Sequence, residues 1–384
     1  MVAGESGSRA FATVREPSLD GLRAVAVLTV FGMHAMASAI PGGFVGVDVF
    51  FVLSGFLITS LLAQERKRHG RVCFAKFYMR RALRLYPALI GAVTLGVVTA
   101  LLVGVPLAHY ALASVVALSY TSDFVVWHEP GYFLNPFWSL AVEEQYYLLW
   151  PLALVGLLRT RHPLALTAAL AVVAAVLKAA VFPLLGGDVL YFLPLGHLDE
   201  LLIGSCLGLA LTLHRAERLR RVLRRQAVGW CAALPLALVA LRCGGITASW
   251  MYLGGLTFLG LCSGVLIGHL VSGSGGALRR LLSARFLVWL GVRSYAFYLV
   301  HQQFLDVLHF RFNLPLRYVV VIGLALSLAA SAASYRWVEQ PFLRRKQRFE
   351  APPEQVRIPG QRAASDGAPV THAPGLDEAA ELKR

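Results

Sequence analysis

Charged side chains are scarce in this chain of 384 residues, at 15% of the total, and acids are scarcer still, with 21 Asp and Glu against 36 Lys and Arg. Hydrophobic residues make up 57% and the mean hydropathy is +0.63. Too little charge to clothe a water-soluble surface excludes an ordinary soluble domain. Cysteine is also sparse. Cys73, Cys206, Cys231, Cys243 and Cys262 are scattered, mostly inside apolar runs, with neither close metal-ligand spacing nor a disulfide framework. They are assigned to packing, and no metal is expected. A formal charge of +15 raises nucleic acid as a candidate partner. The basic residues, however, sit in short stretches between apolar runs, the pattern of cytoplasmic anchoring, so no nucleic acid is expected. No internal repeat is visible.

What is present is a succession of apolar runs of bilayer-crossing length: 19–39, 44–62, 86–105, 139–158, 164–184, 190–212, 228–243, 250–270, 286–304 and 317–337. Segment 106–138 is broken by Pro106, Asp123, Glu129, Pro130, Gly131 and Pro136. Basic clusters decide whether it crosses. With the N-terminus inside and 106–138 outside, the inner connections hold Arg66 to Arg84, Arg159 and Arg161, Arg215 to Arg225, Arg279 to Arg285, and Arg344 to Arg348. One extra crossing would put several of these outside, against the positive-inside bias. The expectation is an all-α, polytopic integral membrane bundle of about ten helices in the cytoplasmic membrane, with both termini cytoplasmic. Residues 1–17 form a short lead, 18–343 the membrane domain, and 344–384 a tail too polar to fold. A cleaved signal peptide is disfavoured, because Asp20, Arg23 and His34 lie in or beside the first run. Gly42-x-x-x-Gly46, Gly204-x-x-x-Gly208 and Gly260-x-x-x-Gly264-x-x-x-Gly268 are expected to permit close helix approach.

Ionisable groups inside spans are functional hypotheses by default. Arg23 and His34 are eleven residues apart on the first run, which returns nearly to the same face roughly 16 Å further along. An outer layer collects His34, Asp48, Glu143, Glu144 and His301, with Ser294, Tyr298 and His301 on one face of the ninth run. An inner layer collects Arg23 with Arg80, Arg81 and Arg84. Guanidinium forks suit the phosphates of a donor. An outer histidine, with an ordinary pKa of about 6.5, suits removal of a hydroxyl proton. Plainer roles stand beside these: Glu143 and Glu144 against a helix macrodipole, Asp48 as an ion-pair partner, His301 bonded to a loop carbonyl, the arginines as topology determinants. Trp138, Tyr146, Tyr147 and Trp150 read as interfacial belt and packing, and Lys178 and Arg242 as snorkelling side chains. Asp199 and Glu200 lie mid-span and require partners that spacing alone does not name.

The same residues resemble the membrane acyltransferase-3 family. Ser18 to Val27 running to His34 is similar to its first helix, with an arginine and a histidine separated by ten residues. Gly46 to Ile58 is similar to its second-helix motif, Arg81 and Arg84 to its basic pair, and Phe137 to Tyr147 to its Trp-Ser-Leu-x-Val-Glu-Glu-Gln segment. Ser294 to His301 and Tyr335 to Phe342 resemble its closing motifs, with Gln340 where the family often has arginine. The resemblance covers residues 18–343. It implies transfer of an acyl group, often acetyl, from acyl-coenzyme A as co-substrate, with no cofactor bound permanently, to a hydroxyl of a glycan or glycosylated small molecule. His34 would be the base, Arg23 its partner, Arg81 and Arg84 the coenzyme A contacts, with Arg80 beside them. Glu143 or Asp48 would orient the ring, and Glu144, Ser294, Tyr298 and His301 would support the site or the acceptor. Many members append a hydrolase-like domain and none is expected here, which points to members that acylate macrolides. The rival reading is a proton-coupled carrier, disfavoured by the absence of an inverted repeat.

Overall fold

The computed structural model describes residues 16–125, 134, 136–213, 216–243, 245–273 and 275–346. Nearly all of the expected lead and tail lies outside these residues. Among the described residues there are helices and no strands.

Each expected run is a helix. They are α1 (Pro17–Ala35), α2 (Val45–His69), α3 (Phe74–Val103), α5 (Phe137–Leu157), α6 (Pro163–Leu190), α7 (Pro194–Leu213), α9 (Gln226–Arg242), α10 (Leu256–Val271), α12 (Arg285–Asp306) and α13 (Leu316–Ala333). The described residues also form shorter α-helices: α4 (Leu107–Leu118), α8 (Glu217–Leu223), α11 (Ala277–Leu282) and α14 (Gln340–Lys346). Six helical segments are long and apolar enough to cross a bilayer, and a seventh if the bent pair α8 and α9 counts as one. The helices α1, α5 and α12 fall outside that count. They carry Arg23 and His34, Glu143 and Glu144, and Arg293 and His301, which lower the average hydropathy. The chain is a multi-pass, all-α membrane protein.

Local chemistry sets the boundaries. Pro17 opens α1 at its first turn, where a missing N–H costs nothing. Gly70 ends α2 and Gly104 ends α3, each in the left-handed region (φ 69° and 85°) that favours glycine. Among the described residues, the broken segment after α3 holds α4 and a 3₁₀ turn, Ser122–Phe124. At 12 residues α4 is too short to span.

Packing fixes the direction of the helices. A Cβ on Gly21 would overlap the Leu282 carbonyl just ahead of α12, and one on Gly291 would overlap the Asp20 carbonyl. Thus α1 and α12 start side by side. They also finish side by side, since the rings of His34 and His301 stack with centroids 5.2 Å apart. The two helices are therefore parallel, as the first and ninth crossings must be. An additional crossing in 106–138 would have made them antiparallel. The glycine motifs behave as expected: Gly204 meets the Val52 carbonyl, Gly46 the Ala26 carbonyl and Gly42 the Val239 carbonyl, so no Cβ fits there. Close approach of α2 and α7 through Gly55 and Gly204 brings their polar side chains into one buried layer.

Candidate active site

His34 lies in the last turn of α1 and His301 near the end of α12. Their parallel packing places His34 Nδ1 2.9 Å from His301 Nε2. His301 Nδ1 lies 2.7 Å from the Tyr298 carbonyl oxygen. A carbonyl only accepts, so His301 carries its proton on Nδ1 and its Nε2 accepts. His34 therefore donates from Nδ1, and its own Nε2 keeps a free lone pair. The Tyr298 hydroxyl is 2.7 Å from the Ser139 hydroxyl at the start of α5. Ser294 lies buried one turn earlier on the same face of α12.

A cavity of about 280 Å³ opens beside this chain of bonds, lined by His34, Phe44, Trp138, Tyr191, Phe192 and Tyr298 among others. Trp138 is thus a cavity wall, beyond its expected part in packing. Tyr146 and Trp150 do pack, through bonds to Ser205 (2.6 Å) and Thr59 (2.7 Å).

Glu143 and Glu144 are not in the layer with His34. Glu143 accepts hydrogen bonds from the hydroxyls of Ser54 and Tyr147, the latter at 2.8 Å. The guanidinium of Arg81 lies over the Tyr147 ring, 3.6 Å from its centroid. Arg81, Arg84 and Arg23 are the cations that act on Glu143. The reason is length. Helix α3 begins at Phe74, well ahead of the apolar run, so its arginines stand two to three turns inside the helix and reach the acids of α5. The two expected layers are one column: histidines at one end, then Ser139, then Glu143, then guanidiniums. Arg80 pairs with Glu65 at 3.2 Å. Arg23 also bonds Asp20 on its own helix at 3.3 Å.

Asp48 faces α7. Its Oδ1 lies 3.7 Å from His197 Nδ1, and Glu200 Oε2 lies 3.1 Å from the same nitrogen. All three side chains are fully buried. The bond to the His34 ring thus comes from His301, while Asp48 belongs to this second group. Lys178 does not snorkel. It is fully buried and donates to both oxygens of Asp199 at 2.8 Å, and Thr257 donates to Asp199 Oδ2 at 2.6 Å. Arg242, by contrast, is exposed as expected. Sequence reasoning passed over His197, although its i,i+3 spacing to Glu200 was a usable signal.

A family model described as "Acyltransferase domain", of acyltransferase family 3, matches residues 16–336. The chain belongs to the acyltransferase-3 family. Among curated relatives of the family, "Putative peptidoglycan O-acetyltransferase YrhL" of Bacillus subtilis strain 168 is 32% identical over 345 residues, covering 85% of this chain and 54% of the relative. "O-acetyltransferase OatA" of Staphylococcus aureus strain NCTC 8325 is 31% identical over 355 residues, covering 87% of this chain and 58% of the relative. The chain therefore spans little more than half the length of the family relatives it matches. No solved structure matches this family member.

Proposed function

We propose that this protein is an O-acyltransferase of the cytoplasmic membrane, with both termini cytoplasmic. It moves a short acyl group, acetyl in the simplest case, from acyl-coenzyme A to a hydroxyl of a glycan or glycosylated small molecule. The observation that carries this reading is the Tyr298 carbonyl–His301–His34 chain beside the cavity, which leaves His34 Nε2 free to accept a proton. An orienting partner that fixes the tautomer of a base is the logic of acyl-transfer triads. The aromatic walls Trp138, Tyr191 and Phe192 suit the apolar face of a sugar ring, and relatives named as O-acetyltransferases, one of them for peptidoglycan, favour a glycan acceptor.

Donor phosphates meet Arg81 and Arg84, which Glu143 and Tyr147 hold in place. His34 Nε2 takes the acceptor hydroxyl proton as that oxygen attacks the thioester carbon. The C–O bond forms, the C–S bond breaks, and the departing thiolate recovers the proton from His34. The product is the ester and free coenzyme A thiol.

Acyl-coenzyme A turnover by purified protein tests the reading, with thiol release scored against peptidoglycan fragments, simpler glycans and glycosylated macrolides. His34→Ala is expected to lower acceptor-dependent thiol release by about 10²–10⁴-fold while insertion and purification are unchanged. Near-normal release by that variant overturns the base assignment. Solute flux without thiol release would instead establish the carrier.

A further inference from the structure

The group formed by Asp48, His197 and Glu200 has no part in the chemistry above, and its atoms do not add up as they stand. His197 Nε2 lies 2.7 Å from the Tyr191 carbonyl oxygen, which only accepts. The proton of a neutral ring is therefore on Nε2, and Nδ1 presents a lone pair. That lone pair points among carboxylate oxygens, with Glu200 Oε2 at 3.1 Å and Asp48 Oδ1 at 3.7 Å. Both oxygens of Asp48 and Oε1 of Glu200 are buried without a hydrogen-bond partner. One ligand atom from each residue lies within 4.8 Å of the others. Lone pairs facing lone pairs in a dry interior repel unless shared protons or a cation stand between them.

Charge selects the cation. The neighbouring Lys178–Asp199 pair is neutral by itself. One proton on His197 would leave an imidazolium between two carboxylates and a net negative charge at bilayer depth, which is costly. A divalent cation with two carboxylates and a neutral imidazole makes the group neutral. A nitrogen and carboxylate oxygens, three protein ligands in all, suit zinc or a neighbouring first-row ion rather than calcium or magnesium, which want an all-oxygen shell. The Tyr191 carbonyl bond to the far nitrogen is the usual outer partner that orients a ligating histidine.

We propose that Asp48, His197 and Glu200 bind one divalent transition-metal ion that ties α2 to α7 directly behind the cavity. The link to the cavity is physical: Trp138 and Tyr191 pack on the His197 ring, with centroids 5.4 and 4.9 Å away, and both line the cavity wall. The ion is a structural clamp for that wall and takes no step in acyl transfer.

The test uses full-length protein purified in detergent from cells grown with added zinc and passed over a desalting column, with metal measured by mass spectrometry per polypeptide. About one equivalent is expected in the wild-type protein and in His34→Ala, so the result stands apart from the fate of the acyl-transfer reading. Less than a tenth of an equivalent is expected in His197→Ala and in the near-isosteric Glu200→Gln. Chelator treatment of the wild-type protein should lower its melting temperature, and zinc, but not magnesium, should restore it. Cobalt added to the stripped protein should give visible d–d bands. Monodisperse wild-type protein with under a tenth of an equivalent and no cobalt bands overturns the proposal and assigns the group to shared protons. That measurement holds even if the variants fail to fold.

Discussion

An imidazole that gives its Nδ1 proton to a neighbour has only Nε2 left to take one, and at His34 that neighbour is His301, 2.9 Å away. His301 is thus a positioning residue, and its loss should not resemble the loss of His34. In His301→Ala the ring of His34 is free to rotate and to exchange tautomers, so kcat is expected to fall about 10- to 100-fold, the size seen for partners that orient ligating histidines. The KM for acyl-coenzyme A should hold. In His301→Gln the amide oxygen can accept the same proton, so part of kcat should return and the pH profile should move back towards the wild-type curve. Equal kcat in the alanine and glutamine variants would remove the tautomer argument. Arg84 makes a different prediction. It stands among Arg23, Arg81, Tyr147 and Glu143, so taking it away weakens a guanidinium group without disturbing the histidines. Arg84→Ala should raise the KM for the donor about tenfold or more, the worth of one charge-assisted bond, with acceptor dependence little changed. Unchanged donor dependence would return Arg84 to a topological role.

Between α3 and α5 lie helix α4 and a 3₁₀ turn; the Tyr110 hydroxyl ties α4 to the Val93 carbonyl of α3 at 2.6 Å, and Gln145 ties the turn to α5. Gln145 on α5 donates to both oxygens of Asp123, at 3.0 and 3.1 Å, and to the Tyr120 carbonyl at 3.0 Å. Burial pushes the Asp123 carboxyl up to about 6. A group whose folded pKa is raised stabilises fully below its ordinary value near 3.9, and that stabilisation is lost as the pH rises through about 6. Amide exchange over residues 107–125 should therefore be slower at pH 5 than at pH 8 after correction for the intrinsic rate, and Asp123→Asn should flatten the difference. A profile identical in the two proteins would show that the carboxyl does not govern docking. Such contacts mark the limit of what the sequence could convey. Apolar length alone located every long helix, and the His34 and Arg81/Arg84 motifs located both ends of the column. Which faces meet depends on the rotation and offset of helices distant in the chain. Hence Glu143 reads as a neighbour of His34 until α3 is seen to carry Arg81 deep into the bundle. Lys178 likewise reads as a snorkelling residue until α6 is seen to lie against Asp199 of α7. The spacing of His197 to Glu200 hints at a pair on α7, but nothing in that helix reveals Asp48 across the gap.

Across the bundle, the parallel pair α1 and α12 constrains the topology more tightly than charge counting does. Their starts are locked by the Gly21–Leu282 and Gly291–Asp20 contacts and by the Glu16–Arg279 ion pair at 2.9 Å, and their ends by the two histidines. Seven long helices lie between them in the chain, hence eight connections, and that even number puts the end of α3 and the start of α5 on one side. The proposed cytoplasmic termini put that side at the exterior, in keeping with the positive-inside bias. Single cysteines in a background lacking the five native ones give a direct reading. Lys67→Cys, Arg161→Cys and Arg345→Cys are expected to react with an impermeant maleimide only after the membrane is opened, and Ser119→Cys and Asn313→Cys in intact cells. Labelling of Ser119→Cys with the pattern of Lys67→Cys would require α4 to belong to a crossing segment. That would make α1 and α12 antiparallel, separate His34 from His301 by the thickness of the bilayer, and dissolve the site on which the proposed chemistry depends.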